Sequence, residues 1–167
     1  MSSQDEDRRA VAFHEAGHCW GYWAVGRRFR YATLRSRTNG FDAATLGYRD
    51  WQWDELHPLA IVASSGPVAE LHHRIDRDPQ HPDLEKHLRS VLEGGHSDVP
   101  RSGGILEDAA RMRRLADIMD RHWSGVAQVA EELLDQRRVT GTQAFAVFDA
   151  AAPPDFGDLV RALWMGG

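Results

Sequence analysis

Along the first part of the chain, apolar residues recur at steps of three and four. Val11, Ala12, Ala16, Cys19, Trp20 and Trp23 line one side of a segment that predicts a helix over residues 5–25. Asp5, Glu6 and Asp7 suit the electropositive start of that helix, and Gly26 suits its end. From Phe29 the period shortens to two. The run Phe29-Arg-Tyr-Ala-Thr-Leu-Arg largely alternates apolar and polar positions, as a strand with one buried face does. Asn39-Gly40 signals a turn, and residues 44–48 predict a second short strand. A helical pattern returns from Asp54 or Pro58 to about Ile75. Pro67 inside it lacks an amide donor and predicts a kink or a division.

Residues 76–82 read as a loop, 83–92 as a short helix closed by Gly94-Gly95, and 96–104 as a second loop rich in Gly, Ser and Pro. Ile105, Ala109, Met112, Ala116, Met119 and Trp123 then form a long apolar stripe. It continues through Val126, Val129, Ala130, Leu133 and Leu134, as one helix or as a pair bent near Gly125. A last helix is expected over 143–149, and Pro153-Pro154 sets off a short C-terminal tail, 153–167. The pattern predicts one mainly α domain with a small β-sheet, an α+β fold, over residues 1–152.

Composition narrows the function. A chain of 167 residues has room for one compact core, and 42% hydrophobic with 27% charged residues argues against wholesale disorder. The formal net charge of -5 gives no electrostatic reason to expect nucleic acid or an anionic membrane as partner. Cys19 is the single cysteine, which excludes an intrachain disulfide and suits a reducing compartment. The polar, acidic first nine residues are unlike a secretory signal. The stretch 58–71, interrupted by Ser64, Ser65, Gly66 and Pro67, is too short to span a bilayer. The expectation is a cytoplasmic protein with no membrane segment.

The chemistry concentrates in His14-Glu15-Ala16-Gly17-His18. Two histidines four apart project from one face of a helix, so both imidazoles reach a single ion. Zinc takes neutral imidazole nitrogen well, and a catalytic site keeps one coordination position for water. Glu15, beside that ion, is placed to accept the water's proton as general base. Ala16 and Gly17 are small enough to admit the metal and a close neighbouring helix.

The run Val11-Ala-Phe-His-Glu-Ala-Gly-His-Cys resembles the zinc-site helix of the peptidase domain of FtsH-type AAA proteases, usually A-x-H-E-A-G-H-A. Ser65-Gly-Pro-Val-Ala-Glu-Leu is similar to that family's G-G-R-A-A-E-E-L. The stretch from His122-Trp through Val139-Thr-Gly is similar to its late helix ending in L-x-G. The resemblance spans about residues 9–147. It implies a mostly helical fold, zinc, and hydrolysis of peptide bonds. The ATPase module and transmembrane helices of that family are absent, Cys19 stands for the usual alanine, and Pro67 for a common arginine.

The family's third zinc ligand is an aspartate opening a later helix, in a run like G-A-S-N-D-I-E-R-A-T-x-L-A-R-x-M. Gly104-Ile-Leu-Glu-Asp-Ala-Ala-Arg-Met is the best match and implies Asp108, which would share an inward face with Met112, Leu115 and Met119. Asp83 and Asp98 are rivals, the first better spaced from Glu70 and the second preceded by Gly94-Gly95-His96-Ser97. His81 and His96 are further candidate ligands. Glu70 is the family's helix carboxylate, either orienting a zinc-bound histidine or standing at the surface. His72 and His73 are expected at the surface, and the tryptophans in packing, with Trp51 and Trp53 near the sheet.

These residues predict an ATP-independent zinc endopeptidase whose partner is a peptide or protein substrate bound along a sheet edge. Without its own ATPase it would act on flexible segments or beside a separate unfoldase or regulatory partner. The alternative is a non-catalytic or partner-gated zinc-binding interaction module.

Overall fold

The computed structural model describes residues 3–37, 40–47, 56–77, 98–152 and Phe156. Helix α1 (Ser3–Ala24) has Asp5 and Glu6 in its first turn and buries Ala12, Ala16, Cys19 and Trp20 of the stripe that the sequence period marks out, with Val11 and Trp23 half-buried and Phe13 buried besides. Beyond a turn at Gly26 the chain enters β1 (Phe29–Arg37), which pairs antiparallel with β2 (Gly40–Gly47). The second strand starts at Gly40, earlier than the 44–48 expected, and sets Thr45 opposite Ala32.

Helix α2 (Leu56–Arg77) runs through Pro67 as one helix, so of the kink or division expected there the division does not occur. A mid-helix proline costs about 3 kcal/mol. Residues 60–69 are all buried, however. Each fully buried Val or Ile side chain contributes about 1.5–3 kcal/mol, so packing outweighs the missing bond. Ser64 and Ser65, also buried, donate their hydroxyls to the carbonyls of Ala60 and Ile61 one turn back.

After a 3-10 turn (Val99–Arg101), helix α3 (Ala109–Asp120) begins four residues later than Ile105. Gly103 and Gly104, with φ of 57° and 82°, turn the chain just before it. The break between α3 and α4 (Trp123–Gln136) falls at Arg121–His122, and Gly125 lies inside α4. Arg137, at φ 61°, ends α4 and swings the chain into β3 (Arg138–Thr140), which pairs with β1 to give the order β2-β1-β3. Three residues are too few to show a period, so β3 was not foreseen. Helix α5 (Gly141–Ala151) follows at once, with a reciprocal cap between Thr140 and Gln143.

The result is a mainly helical α+β fold with one small antiparallel sheet. Its core joins α1 to α2 on one side and to α4 and α5 on the other, through Leu115, Met119, Val126, Val129, Leu133, Val139 and Phe148. Phe156 is buried against Trp20, Trp23 and His122, so packing continues past residue 152 into the segment expected to be a tail. No described helix is long and apolar enough to cross a membrane. The helix expected over 83–92, together with Trp51, Trp53, Pro153, Pro154 and Trp164, lies outside the described residues.

Candidate metal centre

The site grows from the contact of α1 with α2, which run antiparallel at very close range. A Cβ at Gly17 would lie 2.3 Å from the Ser65 carbonyl oxygen, and one at Gly66 would lie 2.4 Å from His18 Nε2. Only glycine fits at either position. The small residue inside the His-Glu-x-x-His run therefore lets α2 press against the histidines, and Gly66 makes the room that His18 fills.

Helix α2 also fixes which nitrogen of each ring faces inward. His18 Nδ1 donates to the Val62 carbonyl at 2.7 Å, and His14 Nδ1 lies 3.0 Å from Glu70 Oε2. A carbonyl and a carboxylate accept only, so each Nδ1 carries a hydrogen and each neutral ring turns the lone pair of Nε2 outward. Both lone pairs meet Asp98. His14 Nε2 and His18 Nε2 are 3.1 Å apart, and Asp98 Oδ2 lies 3.2 Å from the first and 3.5 Å from the second. Three electron-pair donors thus converge on one point. Donors held about 2.0–2.2 Å from a tetrahedral zinc stand roughly 3.3–3.6 Å from one another, so one edge of the triangle falls in that range and the other two are 0.1–0.2 Å short of it.

The surrounding charges favour a cation. Glu70 Oε1 accepts from Arg74 Nε at 3.0 Å and Nη2 at 2.7 Å, leaving Oε2 to His14. Glu15, Glu70 and Asp98 are all largely buried, and among the described residues in contact with them Arg74 is the guanidinium. With neutral imidazoles the cluster holds three carboxylates against one guanidinium, an excess of two negative charges. A divalent ion offsets that excess. A proton offsets half of it: burial works against a charged His14, but its bonds to Asp98 and Glu70 and the nearby Glu15 raise its pKa to about 10. Burial would likewise raise Asp98 and Glu70, yet His14 and His18 hold Asp98 well below the usual carboxylate range, and His14 with Arg74 lowers Glu70.

Glu15 faces the sheet. Its Oε2 accepts from the Thr45 hydroxyl of β2 at 2.7 Å, and the Cys19 thiol lies 3.9 Å from the same hydroxyl. Burial pushes the Cys19 thiol up, which keeps it protonated.

Of the residues singled out from the sequence, His14 and His18 come together with Asp98, and Asp108 does not join them. Asp108 is the N-cap of α3, exposed, accepting from the amides of Ala110 and Arg111 at 2.9 and 3.1 Å. The expectation that it points inward took the helix to begin at Ile105. Because the chain turns through Gly103 and Gly104, the helix begins just after Asp108, and its carboxylate folds back on the first amides. Pro100, Gly103 and Gly104, which follow Asp98, build the turn that delivers it, closed by Arg101 N donating to Asp98 O at 3.0 Å. Asp83, His81 and His96 lie outside the described residues.

Two other expectations are corrected. His73 is buried, stacked on Phe13 at 3.9 Å, and His72 is half-buried against Trp123 at 4.0 Å, between Asp76 and Asp120. His122, which the sequence did not single out, is fully buried: Trp20 Nε1 donates to its Nδ1 at 3.0 Å, and its Nε2 donates to the Phe148 carbonyl at 2.9 Å. Trp20, Trp23 and Trp123 serve in packing. No protein-family model matches the chain, and no curated protein matches it.

Proposed function

We propose that this protein is a zinc-dependent endopeptidase, a counterpart of the FtsH-type peptidase domain that its sequence resembles. The observation that carries the reading is the triangle of His14 Nε2, His18 Nε2 and Asp98 Oδ2, three lone-pair donors with edges of 3.1, 3.2 and 3.5 Å. These three residues are the ligand set, with Asp98 in the place first given to Asp108. A zinc ion held there supplies Lewis acidity, lowering the pKa of water from 15.7 to about 7 and polarising a peptide carbonyl.

The rest of the chemistry falls to the chain itself. Glu70 and the Val62 carbonyl keep both histidines in the tautomer that turns Nε2 toward the ion. Glu15, between them in sequence, takes the proton of the attacking water and returns it to the departing amine. Among the described strands β2 forms one edge of the sheet, and an extended peptide added there passes beside Thr45 and Glu15. The substrate is a flexible protein segment in the reducing cytoplasm, presented by itself or by a separate unfoldase.

The burial of Glu15, 5% exposed with one oxygen held by Thr45, favours a second reading in which a partner gates access to the same centre. Metal content of the purified chain and cleavage of labelled casein test both. About one zinc per chain with chelator-sensitive cleavage, and Glu15→Gln that keeps zinc and loses cleavage, are the expected results. Zinc without cleavage until a partner is added would favour gating, and a wild-type chain that takes up no zinc would end both readings.

A further inference from the structure

The Thr45 hydroxyl has one hydrogen and three neighbours within reach of it. Glu15 Oε2 is at 2.7 Å, the Glu15 carbonyl oxygen at 3.4 Å, and Cys19 Sγ at 3.9 Å. The short contact to a carboxylate is the strongest, so the hydrogen goes to Oε2. The hydroxyl oxygen then has only lone pairs left, and the Cys19 thiol, one turn beyond Glu15 on α1, is placed to donate to it. The three groups form a hydrogen-bonded chain, Cys19 donating to Thr45 and Thr45 to Glu15, running from α1 out to β2 and back to α1. It also gives a physical reason for a thiol where the FtsH-type run carries alanine, because alanine offers nothing to orient a threonine.

We propose that Thr45 is a positioning residue for Glu15, with Cys19 orienting the Thr45 hydroxyl. The proposal rests on the peptidase reading above. By occupying Oε2, Thr45 stops rotation of the carboxylate and leaves Oε1 as the oxygen that receives the proton. Because Thr45 belongs to β2, the placement of the base is tied to the strand beside which an extended substrate would lie. The reaction is unchanged: the water proton passes to Glu15 Oε1 and then to the amine, and Thr45 keeps its own hydrogen throughout.

The test compares Thr45→Val, which keeps shape and removes the hydroxyl, with Thr45→Ser, which restores it. On labelled casein, Thr45→Val is expected to lower kcat about 10–100-fold with KM and zinc affinity within about twofold, and Thr45→Ser to recover most of the loss. A second readout needs no turnover. In zinc-free protein, Thr45→Val should lower the melting temperature by about 3–6 °C, and that loss should largely vanish when Glu15→Ala has already removed the acceptor. Unchanged kcat in Thr45→Val, loss of zinc with it, or failure of serine to rescue would each overturn the proposal while leaving the peptidase reading intact. A melting loss that persists undiminished in Glu15→Ala would overturn it too. A wild-type chain that binds zinc and cleaves nothing, alone or with a partner, would overturn both.

Discussion

Helix α1 presents histidines to, or meets them in, two buried settings that differ in everything except burial. On the side facing α2, His14 and His18 stand among carboxylates. On the side facing α4 and α5, Trp20 meets His122 in a cluster of Trp23, Phe148 and Phe156. The pKa of His14 is raised to about 10, and that of His122 is lowered. Desolvation acts in the same direction on both. At His14 it is overcome by Asp98, Glu70 and Glu15; at His122 it prevails over the Phe148 carbonyl and Asp149. His122 also spends both nitrogens on one donor and one acceptor, which completes its bonding. Around His14 and His18, when both imidazoles are neutral, the two Nε2 atoms and Asp98 Oδ2 are three acceptors facing one another. A satisfied buried histidine is a structural device, whereas converging lone pairs make a candidate metal site.

The sharpest way to break this contrast is to remove Asp98, the carboxylate that completes the triangle and the third ligand of the proposed zinc site. Zinc sites of four protein ligands bind with roughly 10–16 kcal/mol. One ligand is therefore worth about 3–4 kcal/mol, and Asp98→Ala should weaken zinc binding by roughly 10²–10³-fold in a chelator competition. His122→Phe should leave zinc affinity unchanged. Equal losses in the two variants would mean that the centre depends on general packing and not on this donor set.

The same His122→Phe change should show its effect in stability. It strands the Trp20 indole N–H and the Phe148 carbonyl in a buried core, at about 1–3 kcal/mol each, so a loss of about 2–6 kcal/mol is expected in urea unfolding. The pH dependence carries the sign of the lowered pKa. Between the folded pKa and the ordinary value of 6.5 the unfolded chain binds a proton at His122 that the folded chain does not. The stability that His122 contributes is thus complete above about 6.5 and declines as the pH falls below it. His122→Phe should remove that part of the slope, and a wild-type slope unaltered in the variant would show that other groups produce it.

Next in size is the layer behind the ligands. Glu70→Gln offers His14 Nδ1 a neutral acceptor in place of a carboxylate and leaves Arg74 without its partner. Changes of this kind cost about 10–100-fold in metal affinity. Zinc binding as tight as wild type would demote Glu70 to a structural residue.

These residues differ in how far the sequence reveals them. His14 and His18 are legible because their relation is local: four residues on a helix put two rings on one face, whatever the rest of the chain does. The apolar stripes of α1 and α4 are legible for the same reason. Asp98 is legible only as a rival, through the Gly94-Gly95-His96-Ser97 before it, because it lies in an irregular turn whose place is set by contacts with α2, and its flanking Pro100, Gly103 and Gly104 give only the signal for a turn. Thr45 and His122 leave no local trace. Each acquires its role from a partner far along the chain, Glu15 for one, and Trp20 and Phe148 for the other.

The smallest effect belongs to Asp108, and it sharpens the contrast by what it leaves alone. Its carboxylate receives two amide hydrogens at the start of α3, a contact available to many side chains and remote in kind from a metal donor set. Asp108→Ala should lose about 1 kcal/mol of stability as an N-cap, and Asp108→Ser should recover most of it, because serine caps nearly as well. Zinc affinity should match wild type in both. A ligand would behave in the opposite way, since serine cannot replace a carboxylate on zinc and the cost would appear in metal binding first. Loss of zinc in Asp108→Ala with stability intact would return the third position to Asp108 and take it from Asp98.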